Sequence, residues 1–428
     1  MKTWRPPEGS RTDQSRVWSP LACRDRQAIG PADEPVLRTI CGRRPTVTPD
    51  SRSGILNTIR PRVLALVQLP PPLHGSAQVS QYILESQAIR RALEIEAVDI
   101  STADQISQIG RFSIRKTLRF LSLLIRTTRF LLLRRYDIVY MTLSLTGLGF
   151  YKDSLLALVA KAFRAEIVYH LHQKGVQEHA LRSRRRRQFY RFVFANANVI
   201  HLSRLLYPDI AEFVSEDKVY YLANGVDDQV LTSAYDRQVA EVPRLLYLST
   251  LGPQKGALLF LEATKRLRDN GYRFEAVFSG NWGPERGFRA AFLDYMKVNC
   301  LEDFVYCTGP VYGNEKKSLL NSSHIFVLPT LEDCFPLVLL EAMSCGLPVV
   351  VTAEGAIPEI VDEGTGLLAQ KSSVEDLVRQ LEMLLADSDL RDRMGRAARA
   401  RYRARYTVET FEQNFVKIIR ALLVDDRG

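Results

Sequence analysis

The sequence has no apolar run long enough to cross a bilayer. Its longest uncharged apolar stretch, 138–151, is about 14 residues, where a spanning helix needs roughly 20. The start of the chain lacks the apolar core of a secretory leader. Six cysteines are present, and no two of them form a C-x-x-C pair or accompany a histidine cluster. This argues against a disulfide framework or a zinc site and for a reducing, cytoplasmic setting. No D-x-D pair stands at a strand end, so neither a metal nor any other cofactor is expected.

What is present is ordinary globular material: 428 residues, 46% hydrophobic and 25% charged. The length suits two domains of about 150–200 residues. The formal net charge is +10, and such a surplus attracts polyanions: nucleic acid, an anionic membrane or phosphorylated substrates. Residues 1–58, rich in Arg, Pro, Ser and Asp, show neither helical nor strand periodicity. They read as a disordered tail or an over-extended start of the reading frame.

From Pro61 the pattern changes. RVLALVQL, starting at Arg62, reads as a buried strand ending at three prolines, and a loop and a helix over 78–97 follow. Strands at 137–141, 166–172, 197–202 and 219–222 then alternate with helices at 153–163 and 182–195. After a polar stretch at 227–241 the same grammar restarts. Strands at 244–248, 273–279, 304–308, 324–329 and 348–352 alternate with helices at 257–270, 287–299, 314–322 and 336–345. Helices at 373–386, 390–402 and 408–423 close the chain. The pattern predicts two α/β, doubly wound Rossmann-like domains with a ligand cleft between them.

The segment 324–346, HIFVLPTLEDCFPLVLLEAMSCG, carries the most chemistry. A strand ends at Pro329, a polar turn holds Glu332 and Asp333, and a helix opens near Pro336. The free amides of Phe335, Leu337 and Val338 at that opening would suit a phosphate. Glu341 lies on an otherwise apolar helix and needs a partner, for which a ribose diol is well suited.

Here the sequence resembles glycosyltransferase family 4. The family signature is an acid, seven residues, a Glu, then A-M-A-x-G-x-P-V-V. This chain has Asp333, seven residues, Glu341, then AMSCGLPVV. STLGPQKG, from Ser249, stands where the family has G-R-L-x-x-x-K-G, with Thr250 at the family's arginine. Asn224-Gly225-Val226 and GAIPE, from Gly355, match further segments, and the resemblance covers about 62–423. It implies the GT-B fold: 61–235 as acceptor-binding domain, 236–405 as nucleotide-sugar-binding domain, and 406–428 as a helix returning toward the first. Residues 1–60 stand outside this scheme.

The resemblance also implies roles. Lys255, Asp333 and His172 are candidate catalytic residues. Gly75, Ser76, Thr250, Gly280, Phe335, Pro336, Leu337, Val338 and Glu341 are candidate donor contacts, and His170 and Glu332 are further candidates. The implied reaction is retaining hexosyl transfer from a nucleotide diphosphate sugar, a UDP-sugar first, to a saccharide or lipid-linked saccharide. The implied setting is cell-surface polysaccharide synthesis. Two rivals are a nucleotide-sugar epimerase of the same fold and a basic nucleic-acid-binding protein. The first lacks the acid-x7-Glu string, and the second leaves Asp333, Glu341 and Lys255 unexplained.

Between Arg111 and Arg191 there are 18 Lys and Arg against four Asp and Glu. Arg111 to Arg135 mixes Phe and Leu with Arg at helical spacing, and Arg182 to Arg191 is a second basic cluster. The expected partner is an anionic membrane surface at the inner face of the cytoplasmic membrane.

Overall fold

The computed structural model describes residues 60–71, 75–101, 114–231 and 242–425. The reading of 1–58 and parts of the 70–76, 111–135 and 227–241 segments lie outside them.

The first sheet contains β1 (Arg62–Val67), β2 (Glu94–Asp99), β3 (Ile138–Thr142), β4 (Glu166–Leu171), β5 (Ala197–His201) and β6 (Val219–Tyr221), all parallel in the order β2-β1-β3-β4-β5-β6. Its helices are α1 (Gly75–Glu85), α2 (Gln87–Ala92), α3 (Ile114–Leu133), α4 (Gly147–Ala162), α5 (Val176–Leu181) and α6 (Arg184–Phe194). Strand side chains alternate between faces. Leu64, Leu66, Val139 and Met141 therefore join one core with α3, α4 and α6, while Val63, Ala65 and Tyr140 join another with α1 and α2.

The second sheet contains β7 (Arg244–Leu248), β8 (Glu275–Ser279), β9 (Val305–Gly309), β10 (Ile325–Leu328), β11 (Val349–Thr352) and β12 (Gly366–Ala369), parallel in the order β12-β11-β10-β7-β8-β9. Its helices are α7 (Ala257–Asp269), α8 (Phe288–Val298), α9 (Gly313–Asn321), α10 (Leu337–Ser344), α11 (Ile357–Ile360), α12 (Val374–Ala386) and α13 (Ser388–Arg405). The strand order reverses between β7 and β10. Loops leaving those two strands run to opposite faces and open a crevice, the place where ligands enter doubly wound sheets.

The last helix, α14 (Val408–Asp425), leaves the second lobe and covers the first. Phe411, Phe415, Ile419 and Leu422 recur at helical spacing and are buried against Val63, Ala65 and Tyr140. The crossing is fixed where Val226 bridges Thr407 and Tyr402 Oη donates to the Val226 carbonyl at 2.8 Å. A Cβ at Gly225 would lie 2.4 Å from the Thr407 oxygen, which accounts for the glycine in Asn-Gly-Val. Arg399, 4% exposed, donates to both oxygens of Asp228 and to the Ser344 carbonyl, tying the interlobe connection to α10.

The structure corrects several boundaries. The helix expected over 78–97 is α1, α2 and the edge strand β2. Ser86 caps the break by accepting from the Ile89 amide, and the EIEAVD run is half-buried along most of its length, as an edge strand is. The helix expected over 182–195 is α6, and α5 before it was not anticipated; the same holds for β12.

Candidate functional site

The crevice of the second sheet is built by two loops that lock together. β7 runs into Ser249–Thr250, and Tyr247 beneath it donates its hydroxyl to the Thr250 carbonyl at 2.9 Å and the Lys255 carbonyl at 3.1 Å. Gly256 follows at φ +71°, and a Cβ there would lie 2.0 Å from the Pro329 oxygen at the end of β10. Only glycine allows this approach, which brings the Lys255 loop under the acidic turn. The Gln254 carbonyl accepts from the amides of Leu331 and Glu332 at 2.7 and 3.1 Å. Lys255 Nζ then donates to Asp333 Oδ2 at 2.6 Å and to the Glu332 carbonyl at 2.7 Å. Gly280, at φ +152°, passes over the same loop, where a Cβ would lie 1.8 Å from the Ser249 oxygen.

Beyond the acidic turn, Phe335 is buried with its ring 6.2 Å from that of Tyr406, and Pro336 is the residue before α10. Pro336 offers no side-chain acceptor, so the opening of α10 at Leu337 and Val338 carries no side-chain cap. Gly75 opens α1 of the first lobe, and a Cβ on it would lie 3.8 Å from Leu337 Cδ1. Two helix N-termini, one from each lobe, thus meet across the cleft. Their dipoles add positive potential at that point. Ser76, the second residue of α1, donates to Gln68 Oε1 at 3.4 Å.

Glu341 belongs to neither the Lys255 pair nor the turn. It is 2% exposed, and its Oε1 accepts from Lys316 Nζ of α9 at 2.6 Å, whereas Oε2 is buried with no hydrogen-bond partner. Burial holds its carboxyl above the ordinary range, against the pull of Lys316. The charge of Glu341 also acts on Tyr82 of α1, whose hydroxyl is pushed up to about 12 chiefly by burial and donates to Asp227 Oδ2 at 3.2 Å. Lys316, Tyr82 and Tyr247 were not among the residues expected from sequence. A lysine in KKSLL and tyrosines in apolar segments carry no spacing signal; only the fold brings them to the site.

The histidines stand at the end of β4. His170 is fully buried, takes a 2.6 Å hydrogen bond with Tyr140 Oη, and has its basicity lowered well below 6.5 by burial and by His172 and His201. His172, one strand period on, is part-exposed with its ring 4.1 Å from that of His170. Among the described residues, no group of three or more His, Cys, Asp or Glu side chains is placed to hold a metal ion.

Comparison with known proteins bears on this geometry. The family model "Glycosyl transferases group 1" matches residues 237–401. A sulfoquinovosyl transferase of Arabidopsis thaliana is 32% identical over 163 residues, covering 37% of this chain and 30% of the relative. A D-inositol 3-phosphate glycosyltransferase of Corynebacterium aurimucosum is 28% identical over 197 residues, covering 43% and 47%. The chain thus spans less than half the length of these relatives. A sucrose-phosphate synthase of Thermosynechococcus elongatus superposes with a TM-score of 0.65 at 18% identity, covering 86% of this chain and 100% of that one. HepE of Anabaena in complex with UDP and glucose superposes at 0.64 and 17% identity, covering 84% and 99%. The two-sheet architecture is the GT-B fold.

Proposed function

We propose that this chain, whose residues 237–401 match the glycosyl transferases group 1 model, is a retaining hexosyltransferase of the family 4 type that takes a UDP-sugar as donor. The observation that carries the reading is Glu341: a buried carboxylate with one oxygen on Lys316 and the other unpartnered, set on the helix whose open N-terminus faces the cleft. A ribose diol would satisfy the second oxygen. Lys255 and the amides of Leu337 and Val338 would face the diphosphate, and the Asp333 carboxylate would face the sugar. A neighbour of the same fold that holds UDP and glucose supports this donor class.

In this reading the bond from the anomeric carbon to the diphosphate oxygen breaks as the bond to the acceptor oxygen forms on the same face. The acceptor proton passes to the departing diphosphate. Negative charge grows on that leaving group, where Lys255 and the two helix N-termini offset it. His172 would border the sugar from the first lobe. Thermal-shift measurements with UDP, GDP and ADP, followed by release assays with single nucleotide sugars, test the proposal. Stabilisation by none of them, with tight RNA binding instead, would overturn it.

The acceptor would be a saccharide or lipid-linked saccharide, delivered at an anionic membrane. On α3, Leu123, Thr127 and Leu131 face the core, while Leu118, Leu121, Ile125 and Leu132 are exposed at 53–67%. Leu148, Tyr151 and Leu155 of the adjoining α4 are exposed too, and so are Arg119, Arg126 and Arg129 on α3. An apolar strip flanked by arginines suits the boundary between lipid headgroups and acyl chains. Among the described residues no helix is long and apolar enough to cross a membrane. The location proposed from the exposed leucines and arginines of α3 is peripheral, at the cytoplasmic face.

A further inference from the structure

The proposed reaction makes no use of an ion pair that spans the cleft. Lys174 lies two residues beyond His172, in the turn before α5, and its Nζ donates to Glu354 Oε1 in the turn after β11 of the other lobe. Lys371 Nζ reaches the second oxygen of Glu354. Exposed ion pairs contribute little to a fold. Glu354, however, is only 6% exposed, and a carboxylate so deep loses a partner at a cost.

Both ends of the pair are anchored to the residues already discussed. At the first, Gly175 stands at φ +112° with its amide held by Asp209 Oδ2 at 2.8 Å, so Lys174 leaves β4 on a fixed turn. At the second, Gly355 stands at φ +56°, and a Cβ on it would lie 2.3 Å from the Asp333 carbonyl oxygen. The Ala356 amide donates to the Cys334 carbonyl at 2.8 Å. Glu354 is thus backed directly onto the turn that holds Lys255, and the charge of Glu332 in that turn acts on Lys174.

We propose that Lys174 and Glu354 are a positioning pair that sets the closed spacing between His172 and the Lys255–Asp333 turn. The inference rests on reading the cleft as a transferase site. The nucleotide, bound by the second lobe, does not need the pair; sugar transfer, which takes groups from both lobes, does.

The test uses the full chain with Lys174→Met, Glu354→Gln, Lys174→Glu, Glu354→Lys and the double charge swap. UDP binding is followed by calorimetry, lobe separation by small-angle X-ray scattering, and kcat and KM with the donor sugar that the release assays identify. The single variants should bind UDP within about two-fold of the parent chain, scatter as a more open particle, and lose about 10- to 100-fold in kcat with little change in KM, as misplaced reacting groups do. The double swap, made together with Lys371→Met because Lys371 also holds Glu354, should recover the compact scattering and most of kcat. Neutral variants with unchanged scattering and kcat would overturn the proposal, as would a swap no better than its folded single components. A UDP affinity loss confined to the Lys174 variants would instead make Lys174 a phosphate ligand. If the parent chain binds no UDP, the donor reading fails, and the scattering series still decides the pair.

Discussion

Removing the partner of a buried carboxylate probes the ground beneath α10. Lys316→Met keeps the length of the side chain and deletes its charge. Glu341, 2% exposed, then loses the 2.6 Å hydrogen bond to its Oε1. Stripping the partner from a buried charge costs about 3–5 kcal/mol. Two features lower that figure here: Lys316 is itself 23% exposed, and the orphaned carboxyl can take up a proton instead. The expected loss near neutral pH is about 2–3 kcal/mol, a fall of about 4–12 °C in Tm for a lobe of this size. The pH dependence follows from burial, which makes the Glu341 carboxyl a weaker acid than usual. A raised acid favours the fold while protonated, so its contribution is lost as pH climbs from the ordinary value, 4.5, through the raised one. Without Lys316 the carboxyl rises further and stays neutral over a wider range. The deficit of the variant should therefore be full at about pH 8 and shrink toward about pH 5. Thermal unfolding followed by circular dichroism across that range measures it. A deficit independent of pH, or one that grows toward acid, would refute the reasoning.

Lys255→Met should lower kcat/KM by about 100- to 1,000-fold, as loss of a leaving-group donor does. The Lys255–Asp333 pair is partly exposed, so the accompanying stability change should stay below about 1 kcal/mol, read from the urea midpoint. Gly256→Ala drives a Cβ onto the Pro329 oxygen in a left-handed conformation, and should cost about 2–4 kcal/mol together with most of the activity. A variant with wild-type stability would show that the two loops are not locked there. Leu118→Glu with Ile125→Glu should abolish sedimentation with anionic vesicles and leave nucleotide binding intact. The parent chain should sediment less as salt is raised. Unchanged partition of the double variant would remove α3 from the membrane surface.

The second lobe was the more legible in sequence, for a physical reason. Its strands β7, β10 and β11 are buried almost throughout, and Pro243, Pro329 and Pro348 each mark one end of an apolar run. The helix α10 begins one residue past a proline and stops before Gly346, as its chemistry dictates. The edge strand β2 was hidden because only Val98 of its last five residues is fully covered, and Ile95 and Ala97 continue a helical spacing set by α1 and α2. Acid-x7-Glu marked where Asp333 and Glu341 lie in the chain. It said nothing of Lys316, which comes to Glu341 from α9, of Tyr247, which lies beneath the Lys255 loop on β7, or of Lys174, which comes from the facing lobe. Such partners are set by the packing of elements far apart in sequence, and no local pattern encodes them.

In the proposed site α10 holds a uridine diphosphate through Glu341. Isothermal titration of UDP into the parent chain and into Glu341→Gln tests it most directly. Measurable binding of UDP to the parent chain, weakened about ten-fold or more by the amide, is the expected result, since a hydrogen bond to a charged acceptor is lost. No binding of UDP by the parent chain, or equal binding by both proteins, would contradict it.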